Sequence, residues 1–281
     1  MRFGLTIFLT DKSIGPAEMA QEAEARGFIS LFLPEHTHIP TSRATPAPMG
    51  EPLPEQYRRT LDPFVALTAA ASVTKDLKLG TGICLVAQRD PIVTAKEVAT
   101  LDHLSGGRFV FGIGFGWNVE EIEDHGVAYP QRRKVGRENL LAMKQLWTEE
   151  EAFFEGEHVR IEKSWAYPKP VQKPHPPVWI GGQGGPVLFR HVAEYGDGWM
   201  PIGGRGVAKQ KEALAAAVET AGRDPGTVPI VPMGTIPDPG KLEYFHSLGI
   251  EEVILNVPTA TRDEVIPFLD HNAKVVEPFL S

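Results

Sequence analysis

The chain carries one cysteine, Cys84, among 281 residues, so no internal disulfide can form and a reducing compartment is the expected setting. It has no surplus of basic charge either, because 28 Lys and Arg face 36 Asp and Glu for a formal net charge of -8. That balance offers no footprint for a phosphate backbone or an anionic lipid surface, which argues against nucleic acid and membrane as partners. No stretch approaches the ~18 consecutive apolar residues of a membrane span. The opening MRFGLTIFLTDK reads as a strand and lacks the basic head, apolar run and small-residue cleavage site of a signal peptide, so a cytoplasmic protein is expected. No G-x-S-x-G is present, which removes a serine hydrolase reading. The one lysine inside a predicted strand, Lys78, stands near its start, the wrong end for Schiff-base chemistry in a barrel.

What is present is a large apolar fraction, 42%, in a pattern that alternates. Short β-branched runs bounded by Gly, Pro or Asp predict strands at 2-9, 29-34, 77-85, 108-115, 177-181, 197-202, 228-235 and 251-257. Helical stretches fall near 15-27, 61-75, 91-105, 132-148, 186-195, 206-222, 238-248 and 261-272. Parallel strands need crossovers, so this alternation predicts a single-domain (β/α)8 TIM barrel over residues 1-281, with a doubly wound sheet as the other candidate. Asp90-Pro91 opens one helix, and Ser105-Gly106-Gly107 closes it with glycines suited to a left-handed cap. Two insertions break the spacing. The proline-rich 37-60 reads as a lid, and 149-176 holds a hairpin turn at Glu155-Gly156-Glu157 followed by a proline tract; both are expected over or beside the barrel mouth.

Barrel chemistry collects at the C-terminal ends of the strands, and here those ends are mostly glycine. The third strand ends in Gly80-Thr81-Gly82-Ile83, the fourth in Gly112-Ile113-Gly114-Phe115-Gly116 and the fifth in Gly181-Gly182-Gln183-Gly184-Gly185. Glycines let backbone approach a flat or anionic ligand closely. The fifth run leads into a helix near Pro186, so its amides can face a phosphate; a plain tight turn is the alternative. The alternating glycines at 112-116 do not form G-x-G-x-x-G and lack the acidic residue ~20 positions on, so they are no Rossmann fingerprint.

The second strand ends Leu33-Pro34-Glu35-His36-Thr37-His38, and continued alternation would place His36 and His38 on one side. His36 suits proton transfer near neutral pH, with a capping or packing role as the alternative. A metal site would need further ligands on later strand ends, which the other histidines do not supply, so no metal is expected. Glu35, on the opposite face, is expected to hold backbone or supporting partners, and Cys84 to be a core residue. Arg132-Arg133 and Arg58-Arg59 read as solvated charges, with contact to an anionic ligand as the alternative.

Pro34-Glu35-His36, Leu79-Gly80-Thr81-Gly82, Asp90-Pro91 and Leu101-Asp102-His103-Leu104-Ser105-Gly106-Gly107-Arg108 occur in an order that resembles the luciferase-like monooxygenase superfamily. Gly112 to Trp117, Pro168 to Gln172, Pro176 to Gly182 and Gly196-Asp197-Gly198-Trp199 continue the resemblance to about residue 202. The branch it resembles most is the coenzyme F420-dependent oxidoreductases, which transfer a hydride with a deazaflavin. The resemblance implies a (β/α)8 barrel with the ring over the strand ends and His36 as the group that moves a proton. It further implies a non-prolyl cis peptide at Gly82-Ile83 beneath the ring, cofactor contacts from Phe115 and Gly116, and others from Gly181, Gly182, Gln183 and Gly184. The expected function is hydride transfer between F420 and a small organic substrate, in a homodimer. An FMN-dependent monooxygenase fed by a reductase, and a non-catalytic flavin or deazaflavin carrier, are the alternatives. Sugar-phosphate-oxidising relatives carry an acidic residue just after the fourth-strand glycines, where this chain has Trp117; Glu120 and Glu121 follow close behind.

Overall fold

The computed structural model describes residues 1–204 and 206–280. From the N-terminus come β1 (Arg2–Thr6), α1 (Pro16–Ala25), β2 (Ser30–Leu33), α2 (Pro63–Ala71), β3 (Lys78–Thr81), β4 (Cys84–Leu85), α3 (Pro91–Leu104), β5 (Phe109–Gly114), α4 (Val119–Asp124) and α5 (Arg132–Thr148). A hairpin of β6 (Ala152–Glu155) and β7 (Arg160–Ser164) interrupts the alternation. It resumes with β8 (Val178–Gly181), α6 (Pro186–Tyr195), β9 (Gly198–Met200), α7 (Val207–Thr220), β10 (Met233–Thr235), α8 (Pro239–Ser247), β11 (Glu252–Asn256) and α9 (Arg262–Val276).

Asp-Pro pairs set the helix starts. The carboxylates of Asp62, Asp90 and Asp238 accept backbone N–H bonds at the first turns of α2, α3 and α8, and the following proline occupies a position that needs no donor. Each such cap stabilises its helix by about 1 kcal/mol.

Among the described residues, eight strands run parallel in the order β10-β11-β1-β2-β3-β5-β8-β9, and bridges from Trp199 to Ile230 and from Ile202 to Met233 bring the two ends together. The result is the expected (β/α)8 barrel, with helices outside. The barrel interior is filled by Phe32, Val110, Trp179, Met200, Val231, Met233 and Ile254, against which Ile83 packs. The expected strand at 77-85 is two pieces, because β3 stops at Thr81 and β4 resumes beside β5 after Gly82 and Ile83. That at 228-235 shortens to β10, with Ile230 contributing one bridge. The short α4 was not evident in the sequence pattern.

The two insertions part company. Segment 37-60 leaves the end of β2 and stays at the C-terminal face, where Thr10 bridges Thr60. Segment 149-176 leaves the C-terminus of α5, at the opposite end of the barrel, and lies along the outside of the helices rather than over the mouth. The carboxylate of Glu138 on α5 accepts the N–H groups of Glu157, His158 and Val159 at the hairpin tip, and Asp102 at the end of α3 accepts both the backbone N–H and the side-chain amide of Gln172. No helix among the described residues is long and apolar enough to cross a membrane.

Candidate active site

β2 delivers two ionisable side chains to the C-terminal face, and they separate. Glu35 turns into the protein, accepting the N–H of Leu85 at 2.7 Å and the Nε of Arg89 at 2.6 Å. Arg89 in turn reaches Asp62 at 2.7 Å and Glu97 at 3.0 Å, tying together the starts of α2 and α3. Burial pulls the Arg89 guanidinium down, but the carboxylate of Glu35 outweighs it and holds the group firmly charged. Cys84, beside this cluster, is fully buried, and burial together with the Glu35 charge pushes its thiol up, so it is a core residue and no nucleophile.

His36 faces the other way and meets α4. Its Nδ1 lies 2.8 Å from Glu121 Oε2, with the histidine side chain 6% and the glutamate side chain 1% exposed. A carboxylate can only accept, so this contact puts the proton on Nδ1 and leaves Nε2 as the atom that can take or give one. Asn118 caps α4 through its side-chain oxygen, bonded to the N–H of Glu121, and thereby fixes where Glu121 stands. The ring of His36 is flanked by Tyr57 from the 37-60 segment at 5.3 Å and by Trp117 at 5.9 Å. His38 does not join it, because β2 ends at Leu33 and alternation stops there. His38 is instead exposed on the surface, 3.1 Å from Asp124.

Most of the strand-end glycines serve the barrel itself. The Gly82-Ile83 bond is cis, and the Ile83 side chain enters the interior. A Cβ on Gly114 would meet Ile83 Cδ1 at 2.5 Å, and one on Gly181 would meet Ile83 Cγ2 at 2.5 Å. Phe32 fills the space beside Gly80 and Gly82, and the Thr81 carbonyl that beside Gly112. These positions are small because neighbouring side chains and backbone occupy the space, a different reason from the ligand approach that the sequence suggested.

The segment after β8 is another matter. The N–H groups of Gln183, Gly184 and Gly185 have no hydrogen-bond partner among the described residues, and nothing stands where a Cβ of Gly185 would be. They lead into the ten-residue α6, whose first turn adds further free donors. Phe115, at the end of β5, is buried between His191 of α6, 5.0 Å away, and the guanidinium of Arg133 at 4.9 Å. Burial and the charge of Arg133 hold His191 down to about 4, so it is neutral near pH 7, and its Nδ1 is hydrogen-bonded with the hydroxyl of Tyr195 at 2.7 Å. Arg133 makes no ion pair among the described residues, and its Nη1 is buried without a partner. The sequence reading left it between a solvated charge and a contact for an anionic ligand; the structure half-buries it and leaves it without an ion pair among the described residues. Arg132 likewise stacks on Tyr129, its guanidinium 3.6 Å from the ring. Arg58 and Arg59 are indeed surface charges, paired with Glu55 and Asp11.

Free amides, an open glycine and an unpaired arginine fit a phosphate-bearing cofactor on the β8 side, and a buried His-Glu pair stands at the end of β2. A model described as luciferase-like monooxygenase matches residues 16–236. An uncharacterized protein of Mycobacterium tuberculosis is 43% identical over 277 residues, 97% of this chain and 98% of that one. An F420-dependent glucose-6-phosphate dehydrogenase of Intrasporangium calvum is 30% identical over 217 residues, 74% of this chain and 60% of that one. Coenzyme F420-dependent tetrahydromethanopterin reductase of Methanopyrus kandleri superposes with a TM-score of 0.74 at 18% identity, covering 98% of this chain and 96% of that one. The monooxygenase RslO1 of Streptomyces bottropensis does so with 0.75 at 20% identity over the whole of both chains. At these identities the two structures speak for the fold.

Proposed function

The chain belongs to the luciferase-like monooxygenase family, and on that premise we propose that it is an oxidoreductase exchanging a hydride between coenzyme F420 and a small organic substrate. The observation that carries the reading is the buried contact between His36 and Glu121, which leaves Nε2 of His36 free to hold or release the proton that accompanies a hydride. When bound, the deazaflavin supplies the carbon that gives or takes the hydride. Gly82, Ile83, Phe115 and Gly116 would line its ring, with Gly181 and Gly182 behind it, and the amides of Gln183, Gly184 and Gly185, aided by Arg133, would hold its phosphate. Among the described residues, the free N–H groups at 183–185 and the absence of an ion pair at Arg133 support this assignment. F420 is favoured over FMN because the curated relative of known activity described above is F420-dependent. The protein is read as cytoplasmic and as a homodimer, in which Val65, Ile92 and Val93, exposed on the neighbouring helices α2 and α3, offer an apolar face to a second copy.

The test is to titrate the purified protein with F420 and, separately, with FMN, following cofactor fluorescence. Selective binding of F420 is expected. Selective binding of FMN would transfer the reading to oxygen chemistry, to be checked by oxygen consumption with reduced FMN. Binding of F420 without turnover across a substrate panel would make the protein a carrier, and binding of neither would overturn the proposal.

A further inference from the structure

We propose that the N-terminal face of the barrel holds a second binding site, which takes a small uncharged compound with an aromatic body and a hydroxyl donor; it stands independently of the hydride-transfer reading above. A cavity of about 560 Å³ opens there, of the size that holds small molecules. It lies at the end opposite His36, because Arg2, Lys78 and Glu252, the first residues of β1, β3 and β11, bound it.

The opening has a cause in the sequence. Pro229 and Pro232 carry no N–H, so residues 228–232 cannot extend β10 as a fully paired strand. The segment joins β9 at Trp199, whose N–H reaches the Pro229 carbonyl at 2.9 Å and whose carbonyl accepts the N–H of Val231 at 2.8 Å. It meets β11 no lower than Ile254, whose N–H reaches the Pro232 carbonyl at 2.8 Å. Below that point Glu252 and Val253 pair with β1 alone, and the gap runs from the barrel interior out to α7. Its walls are apolar, with Trp179 inside, Leu214 and Val218 on α7, and Val231 and Ile250 between them.

Two polar groups on these walls lack partners. The Glu252 side chain is 5% exposed, yet it makes no close contact: Ser30 Oγ donates to Oε1 at 3.4 Å, and Lys78 Nζ and Arg2 Nη2 stand 3.6 and 3.8 Å from Oε2. Oε2 itself accepts no hydrogen bond among the described residues. Trp179 Nε1 also has no partner among them, whereas the other two buried tryptophans, Trp147 and Trp199, donate to carbonyls at 3.0 and 2.9 Å. A buried indole ordinarily finds such an acceptor.

The charges decide the class of ligand. Lys78 and Arg2 already balance Glu252, Lys211 Nζ at the rim donates to the Leu248 carbonyl at 2.8 Å, and Glu251 is 86% exposed to water. A cationic ligand would therefore meet three cations. An anionic one would have to take Lys78 and Arg2 from Glu252 and leave a buried carboxylate uncompensated. An uncharged hydroxyl gives Oε2 the hydrogen bond it lacks, and its own oxygen remains an acceptor for the indole N–H.

The test titrates naphthol, methoxynaphthalene and naphthoate, substituted at the same ring carbon, into the whole chain by calorimetry. Naphthol is expected to bind at least about 10-fold more tightly than either of the others, because only it donates to the buried carboxylate without bringing a charge. Ala215→Phe, which adds a ring to the α7 wall of the cavity, should abolish naphthol binding. Glu252→Gln should bring naphthol and methoxynaphthalene within a few-fold of each other, since an amide oxygen accepts more weakly than a carboxylate. The ranking of the three probes needs no variant and stands whether or not either substitution folds. No binding of naphthol, equal or tighter binding of methoxynaphthalene or naphthoate, or naphthol binding that survives in folded Ala215→Phe overturns the proposal.

Discussion

Nδ1 of His36 and Oε2 of Glu121 meet at 2.8 Å although 85 residues separate them in the chain. One side chain arrives from the end of β2 and the other from a helix only six residues long after β5. Both are buried, so the contact is shielded from competing water and the imidazole is held in one orientation. An acid-base group needs that fixed geometry.

Replacing His36 with Ala should lower kcat by about 10²- to 10⁴-fold, the usual contribution of a positioned acid-base group, while leaving F420 affinity within a few-fold of wild type. Glu121→Gln should leave a folded protein with unchanged cofactor affinity, a kcat reduced by about 10-fold or more, and a displaced pH-rate profile, because an amide no longer dictates which imidazole nitrogen carries the proton. Steady-state kinetics across pH, with cofactor titration alongside, checks both. An unmoved pH profile in Glu121→Gln would reduce Glu121 to a packing role.

Glu35, next in sequence to His36, should behave oppositely. Its carboxylate is buried and engaged with Leu85 and Arg89, so Glu35→Gln removes the most buried of the three carboxylates that hold the Arg89 guanidinium, leaves Asp62 and Glu97 in place, and should destabilise the fold by roughly 1–3 kcal/mol. Denaturant unfolding measures the loss. Activity per folded molecule, assayed well below the unfolding transition, should change far less than in the His36 variant.

The barrel itself was legible because strand and helix periods alternate and Asp-Pro pairs mark the helix starts; these are local signals. The site was legible only in part. His36 stands in a recognisable strand end, but its partner Glu121 lies on a helix too short to show a period, and only the close position of Glu120 and Glu121 after the glycines hinted at it. Arg133 was left between two readings for a related reason. It opens a helix whose first turn looks solvated, and nothing in the sequence states that Phe115 and His191 pack around it. The hairpin insertion was misplaced because sequence order does not say that a segment leaving α5 starts at the far end of the barrel.

His191 gives a pH signature. Burial and Arg133 hold it down to about 4, below an ordinary histidine near 6.5, so the unfolded chain binds more protons than the native state between these values. Stability attributable to this group is fully present above pH 6.5 and is lost as the pH falls toward 4. Thermal unfolding of wild type and His191→Gln across pH 7 to 4 should show the wild type losing more stability on acidification. Identical slopes would mean that His191 charges freely in the native state.

The crowding at Gly181 separates two reasons for a glycine. If the Ile83 side chain is what forbids a Cβ there, Gly181→Ala should cost about 1–3 kcal/mol in the wild type, the usual penalty for overpacking an interior. In an Ile83→Ala background the obstructing Cγ2 is gone while the Ile83 Cβ would stand 3.6 Å off, ordinary contact, so the same substitution should cost little. The double-mutant cycle would then return a coupling of about 0.5–3 kcal/mol, measured by chemical denaturation. If Gly181 is instead small because the cofactor backs onto it, the cost of folding will be the same in both backgrounds and the loss will appear in F420 affinity. The two readings thus predict losses in different measurements on the same four proteins, and the first follows from the position of one methyl group.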